Sequence, residues 1–151
     1  MPMSKLPTPA LVLTAAGVLP FVWGALTTMR PDIAGLGAGA LGSRFVGPYV
    51  SLFYGAVILS FMSGVLWGFA TRATGRLATV SYSLSVLPAL WAFLTTGGGT
   101  QNAAMSLMAG FVGVLILDWR YWRWGLAPEW WMHLRVPVTA VVLLCLAPLL
   151  R

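Results

Sequence analysis

The sequence predicts an all-α fold, a polytopic membrane helical bundle of about five transmembrane helices that forms one domain over residues 1–151. Three observations predict it. First, 59% of the 151 residues are hydrophobic and only 8% are charged, whereas a soluble domain carries about 25% charged residues to cover its surface. Nine Lys and Arg with three Asp and Glu could not coat a water-soluble globule of this length. Second, the apolar residues fall into five long runs separated by short polar connections. Third, the basic residues sit between those runs, as they do where charge sets membrane topology.

The first run, Pro9–Met29, follows Lys5. It is longer than a signal-peptide core, and no small-x-small cleavage site closes it, so it reads as a retained span. Arg30 to Phe45 holds GLGAGALG, a stretch able to form a flexible loop or a half-inserted segment. The second run, Val46–Ala70, exceeds the roughly 20 residues needed to cross the hydrocarbon core. Thr71 to Arg76 is a tight polar turn. The third run, Leu77–Leu94, is interrupted by Pro88, and Thr95 to Asn102 (TTGGGTQN) reads as an aqueous turn. The fourth, Ala103–Leu117, is short unless Trp119 to Trp124 extends it. Asp118 to His133 is the longest polar stretch and contains five of the eight tryptophans. The fifth run, His133–Leu150, completes the bundle. The alternative is that the last two runs merge into one re-entrant element.

With five spans, Lys5, Arg72, Arg76, Arg120, Arg123 and Arg135 share one face, and Arg30, Arg44 and Arg151 share the other. The excess of basic residues belongs in the cytoplasm, which places the N-terminus inside and the C-terminus in the periplasm. Topology thus accounts for the net charge of +6, and no nucleic-acid partner is expected. A lone cysteine, Cys145 in VVLLCLAPLL, can make no intrachain disulfide.

The second run carries the most regular pattern. Ala56, Ser60, Gly64 and Gly68 recur every four residues and stack on one helix face, flanked by Ser63 and Trp67. Small residues let a second helix approach closely where lipid supplies no hydrophobic force. A helix-packing groove is the plain reading of this seam, and a surface for a partner helix or cofactor is the sharper one. Ser106, Gly110 and Gly113 share a face of the fourth run, and Gly17 and Gly24 align on the first. Pro20 and Pro88 each remove a backbone N–H and free a carbonyl one turn earlier, at Ala16 and Leu84. Ser81 and Ser85 are placed to satisfy the second of these, and no further polar group points to either kink.

Chemistry has little to work with. No charged residue lies at the centre of a run, so the intramembrane groups that mark pumps and voltage sensors are missing. Ser63 resembles an intramembrane nucleophile but lacks a base. The one histidine, His133, cannot supply two axial haem ligands. Asp118 and Glu129, with arginines around them, read as salt-bridged interface anchors. No catalytic residue, metal ligand or cofactor is therefore expected. The segment DWRYWRWGLAPEWWMHLR suits the headgroup zone. There Trp119, Trp122 and Trp130 would form an aromatic belt, and Arg120, Arg123 and Arg135 would meet membrane lipids, cardiolipin or another anionic lipid.

YGAVILSFMSGVLWGFA, Tyr54 to Ala70, resembles the signature of the domain-of-unknown-function 3429 family, approximately YGA-ILSFLGG-hWG. Gly17-Val18-Leu19-Pro20-Phe21 is similar to that family's G-x-(I/L)-P-F turn. Pro88 with Trp91 resembles its P-x-x-x-W stretch, and Pro128, Trp130, Leu134, Arg135 and Thr139 its closing element. Ser63 stands where the family has the first glycine of a pair, and Leu66 where it often has His or Arg. The resemblance implies a small multi-pass protein of bacterial inner membranes and mitochondria, with no stated activity. The expectation is a non-catalytic accessory subunit or assembly factor that binds a membrane-protein partner or forms a homo-oligomer, with a bioenergetic complex as the preferred host. The alternative is a bundle that binds or moves a lipid or quinone.

Overall fold

A computed structural model describes residues 5–151, and no strand occurs among them. Helix α1 spans Thr8–Met29, α2 Pro31–Leu41, α3 Tyr49–Ala70, α4 Gly75–Ser85, α5 Leu87–Thr95, α6 Thr100–Arg123 and α7 Trp131–Leu146. A 3-10 turn at Ser43–Phe45 precedes α3, and another at Ala147–Leu150 extends α7. Taking α4 with α5 and α7 with its extension, five helical segments of the described residues are long and apolar enough to cross a membrane. Their lengths of 20 to 24 residues correspond to roughly 30–36 Å.

Helices cover the five expected apolar runs, with shifted ends. The fourth continues six residues past Leu117 to Arg123, by the extension through the aromatic stretch from Trp119 that the sequence allowed. The connection to α7 shrinks to residues 124–130, and the merged re-entrant alternative is overturned by two separate helices. The third span is broken at Val86 into α4 and α5, with Pro88 in the first turn of α5, because proline has no N–H to continue the ladder. The glycine-rich segment is not a flexible loop but the helix α2, which begins at a proline and carries Asp32 in its first turn. Arg30 grips that carboxylate with two hydrogen bonds, 3.0 and 2.8 Å, and holds it below its usual acid range.

Helix α3 is the hub and packs against α1, α4, α5 and α6, while α7 closes the bundle against α1 and α6. One buried cluster joins Phe21, Leu59, Leu107, Phe111, Val142 and Leu146, where Phe21 meets Tyr54 and Phe111 edge to face at 5.2 and 5.7 Å. A second, around Leu66, Ala70, Tyr121 and Leu126, seals the end of the bundle beneath the α6–α7 connection. Glycine makes two of the closest crossings possible. A Cβ on Gly55 would sit 2.9 Å from Leu107, and one on Gly110 would sit 2.7 Å from Leu59 and 2.9 Å from Trp91.

Side chains close the broken backbone, by routes the sequence did not suggest. Ser63 Oγ accepts the Ala89 N–H at 2.8 Å, just after the α4–α5 break. Ser81 and Ser85 instead donate back to carbonyls in their own helix, Leu77 and Tyr82. Near the Pro20 kink the Tyr54 hydroxyl donates to the Gly17 carbonyl at 2.9 Å, so a polar group does point there.

Candidate functional site

The end of the bundle bearing the α6–α7 connection holds a buried ion pair. Asp118 lies five residues inside the end of α6, about 8 Å along the axis, and Arg135 occupies the first turns of α7. Because α6 and α7 run antiparallel beside each other, these residues meet across the hairpin. Arg135 Nε donates to Asp118 Oδ2 at 2.7 Å, and Trp131 Nε1 donates to Asp118 Oδ1 at 2.9 Å. The side chains are 8% and 0% exposed. Each charge is therefore taken out of solvent and answered by the other, which is the condition for burying either.

This overturns one expectation and relocates another. Arg135 does not reach lipid headgroups; it is turned inward. Asp118 is salt-bridged as expected, but as a helical residue buried within the bundle rather than an anchor in an interfacial loop. The remaining residues of the expected lipid-facing set lie near the surface. Trp119, Arg120 and Arg123 are exposed, while Trp122 and Trp130 are half-buried. Trp122 Nε1 donates to the Glu129 carbonyl at 3.1 Å, and the Arg120 guanidinium lies 5.1 Å over the Trp124 ring. Arg72 reaches across from the α3–α4 turn to the Leu126 carbonyl at 3.2 Å, tying the two connections on this end together.

The small-residue seam of α3 also faces the other way from an internal packing groove. Ser60, Gly64, Trp67 and Gly68 are exposed and Ala56 is half-buried, and a Cβ on Gly64 or Gly68 would meet nothing within 4 Å. The face that packs inward is the neighbouring one, Ser51, Gly55, Leu59, Met62, Ser63, Leu66 and Ala70. Both sets have helical spacing, and the sequence offered no charge to tell them apart. On α6, Gly110 is packed as expected, but Gly113 is open.

Two clefts flank α1 and α3. The larger, about 720 Å³, lies toward the α1–α2 end and is lined by Trp23, Arg44, Phe53 and Tyr54 among others. Its polar groups are engaged: Trp23 Nε1 donates to the Phe45 carbonyl at 2.7 Å, Tyr54 to Gly17, and Arg44 stacks over Phe53 at 4.9 Å. The smaller, about 340 Å³, lies between α1, α3 and α7 and has Arg135 and Thr139 in its wall. No group of three or more His, Cys, Asp or Glu able to hold a metal occurs among the described residues.

The profile of a family described as "Protein of unknown function (DUF3429)" matches residues 6–150. The chain belongs to this family. It is also similar to transmembrane protein 69 of Xenopus tropicalis, 29% identical over 154 aligned residues. That alignment covers 93% of this chain and 53% of the relative, so the chain spans about half the length of the curated protein it matches. No solved structure matches. The family and the five apolar helices together make this a multi-pass membrane protein.

Proposed function

We propose that the protein is a non-catalytic accessory component of a larger membrane assembly, which it joins by docking a partner's transmembrane helix on the outer face of α3. One observation carries this reading: Ser60, Gly64 and Gly68 form an exposed stripe that no helix among the described residues covers. In lipid, helices associate through close van der Waals packing, and small residues at four-residue spacing permit the closest approach. Trp119, Arg120 and Arg123, exposed near the end of α6, would hold anionic headgroups such as cardiolipin around that assembly. A bioenergetic complex of the bacterial inner membrane is the preferred host, with the N-terminus cytoplasmic by its excess of basic residues.

The test is gentle purification of the tagged protein from native membranes, with Gly64→Leu/Gly68→Leu compared with the wild type. The wild type should co-purify with a partner or a second copy, and the double variant should emerge alone with its thermal stability intact. Recovery of the wild type only as a free monomer, or an unchanged complex in the double variant, contradicts the reading.

A further inference from the structure

The larger cleft ends on an arginine that the rest of the molecule leaves unanswered. Arg44 lies in the 3-10 turn before α3, exposed, and lines the end of this cleft nearest the α2–α3 connection. The face of its guanidinium stacks on Phe53 at 4.9 Å, a contact that leaves the N–H donors at its edge unused. Among the described residues Arg44 makes no hydrogen bond and no ion pair. The chain has three acidic side chains. Arg30 grips Asp32, Arg135 holds Asp118, and Glu129 lies in the α6–α7 connection. That connection is at the opposite end of the bundle, because Arg72, just past the end of α3, reaches Leu126 there, whereas Arg44 precedes the start of α3. No acidic side chain remains for Arg44, so its counter-ion comes from outside the chain.

The cleft beyond Arg44 defines the shape of that counter-ion. It follows α1 from Trp23 back to Ala16 and α3 from Val50 to Val57, about 10 Å along each axis. Leu19, Phe53 and Val57 are exposed along it, so it opens sideways between the two helices. Its other side-chain donors are spent, Trp23 on the Phe45 carbonyl and Tyr54 on the Gly17 carbonyl. A polar group placed deep in the cleft would therefore go unanswered, at a cost. The occupant that fits is charged at one end, level with the end of the spans, and apolar for the rest of its length along them. A phospholipid has that form and that orientation. The two free oxygens of its phosphodiester match the guanidinium fork. The ammonium of a zwitterionic headgroup would need a carboxylate of its own, and Asp32 is already taken, so a headgroup of net negative charge is preferred. We propose that this cleft holds an acyl chain of an anionic phospholipid whose phosphate rests on Arg44. The inference depends neither on helix docking, which uses the Ser60–Gly68 half of α3, nor on headgroups held at Arg120 and Arg123.

Photocrosslinking of the full-length protein in phosphatidylcholine nanodiscs tests it. The probes are trace phosphatidylglycerol and trace phosphatidylethanolamine with the same diazirine-bearing acyl chain, and adducts are mapped by peptide mass spectrometry. The phosphatidylglycerol probe should label residues 16–23 and 50–57, which border the cleft, about fivefold more than the phosphatidylethanolamine probe does. Arg44→Gln should lower that labelling about fivefold, the worth of one arginine near a membrane surface, and leave adducts near Arg120 and Arg123 unchanged. Arg44→Lys, which keeps the charge, should retain most of it. Ala16→Phe, which narrows the far end of the cleft, should reduce labelling of these segments by both probes. Equal labelling by the two probes overturns the proposal, as does labelling that is absent from these segments, unchanged in Arg44→Gln, or displaced by equimolar oleate. Should a variant fail to fold, the comparison of the two probes on the wild type still decides.

Discussion

Removing one member of the Asp118–Arg135 pair should damage the bundle far more than removing both. Across 2.7 Å two unit charges attract by about 6 kcal/mol at an effective dielectric of about 20. Desolvating each ion costs several kcal/mol, so the intact pair contributes little net stability. Arg135→Leu abolishes the attraction but leaves the Asp118 carboxylate buried, with only the Trp131 N–H to answer it. The expected loss is about 3 kcal/mol, the low end of the range for breaking a buried pair, because the tryptophan bond remains and the carboxyl can take up a proton. For a chain of this length that corresponds to a fall in Tm of about 6–12 °C. Asp118→Leu should cost at least as much, since a guanidinium cannot neutralise itself. The double variant, Asp118→Leu/Arg135→Leu, should recover about 2 kcal/mol relative to the sum of the two single losses. Thermal unfolding of all four proteins in one detergent, followed by intrinsic fluorescence, completes the cycle. Additive losses, or an Arg135→Leu protein within about 1 °C of the wild type, would refute the account of the pair as mutually dependent.

Other contacts give sharper local outcomes. Gly47→Ala would drive a Cβ into the Gly24 carbonyl and the Thr28 amide, and should cost about 1–3 kcal/mol, whereas Gly64→Ala meets open space and should be neutral or gain up to about 1 kcal/mol of helix propensity; parallel thermal melts compare them. Ser63→Ala leaves the Ala89 N–H without the hydroxyl it now meets, and should lower stability by about 1–3 kcal/mol, with faster amide hydrogen exchange at residues 86–90. Tyr121→Phe removes the hydrogen bond to the Ser81 carbonyl and should cost about 1 kcal/mol, read by the same melts.

The five spans were legible because a helix in lipid needs only length and apolarity, and both are written in the chain. Direction was not. In water the polar face of a helix identifies its outside, but lipid and bundle core are equally apolar, so the stripes Ser60–Gly64–Gly68 and Ser51–Gly55–Leu59 of α3 look alike in sequence. Arg135 misled for a related reason: arginine among tryptophans usually snorkels to the headgroups, and only the antiparallel return of α7 beside α6 brings it to Asp118, seventeen residues earlier. Two signals could have found the pair: opposite charges at matched distances on either side of one short connection, and an acidic residue that ends an apolar run where basic ones are the rule. The helix in the α1–α3 connection was hidden by its glycines, which lower helix propensity yet let Gly37 lie against Trp23 and Val46.

The placement of the two charges on neighbouring helices bears on how the polypeptide enters the bilayer during synthesis. Alone, α6 would present an unmatched carboxylate to the translocon and α7 an unmatched guanidinium, each resisting partition by up to about 3 kcal/mol if placed mid-helix and by less near an end. Released together, with a connection of only residues 124–130 between them, they carry a cancelled charge and partition as one hairpin. The pair thus favours joint delivery, and a ribosome-bound chain that has exposed α6 but not yet α7 should insert that helix less efficiently than one that has exposed both.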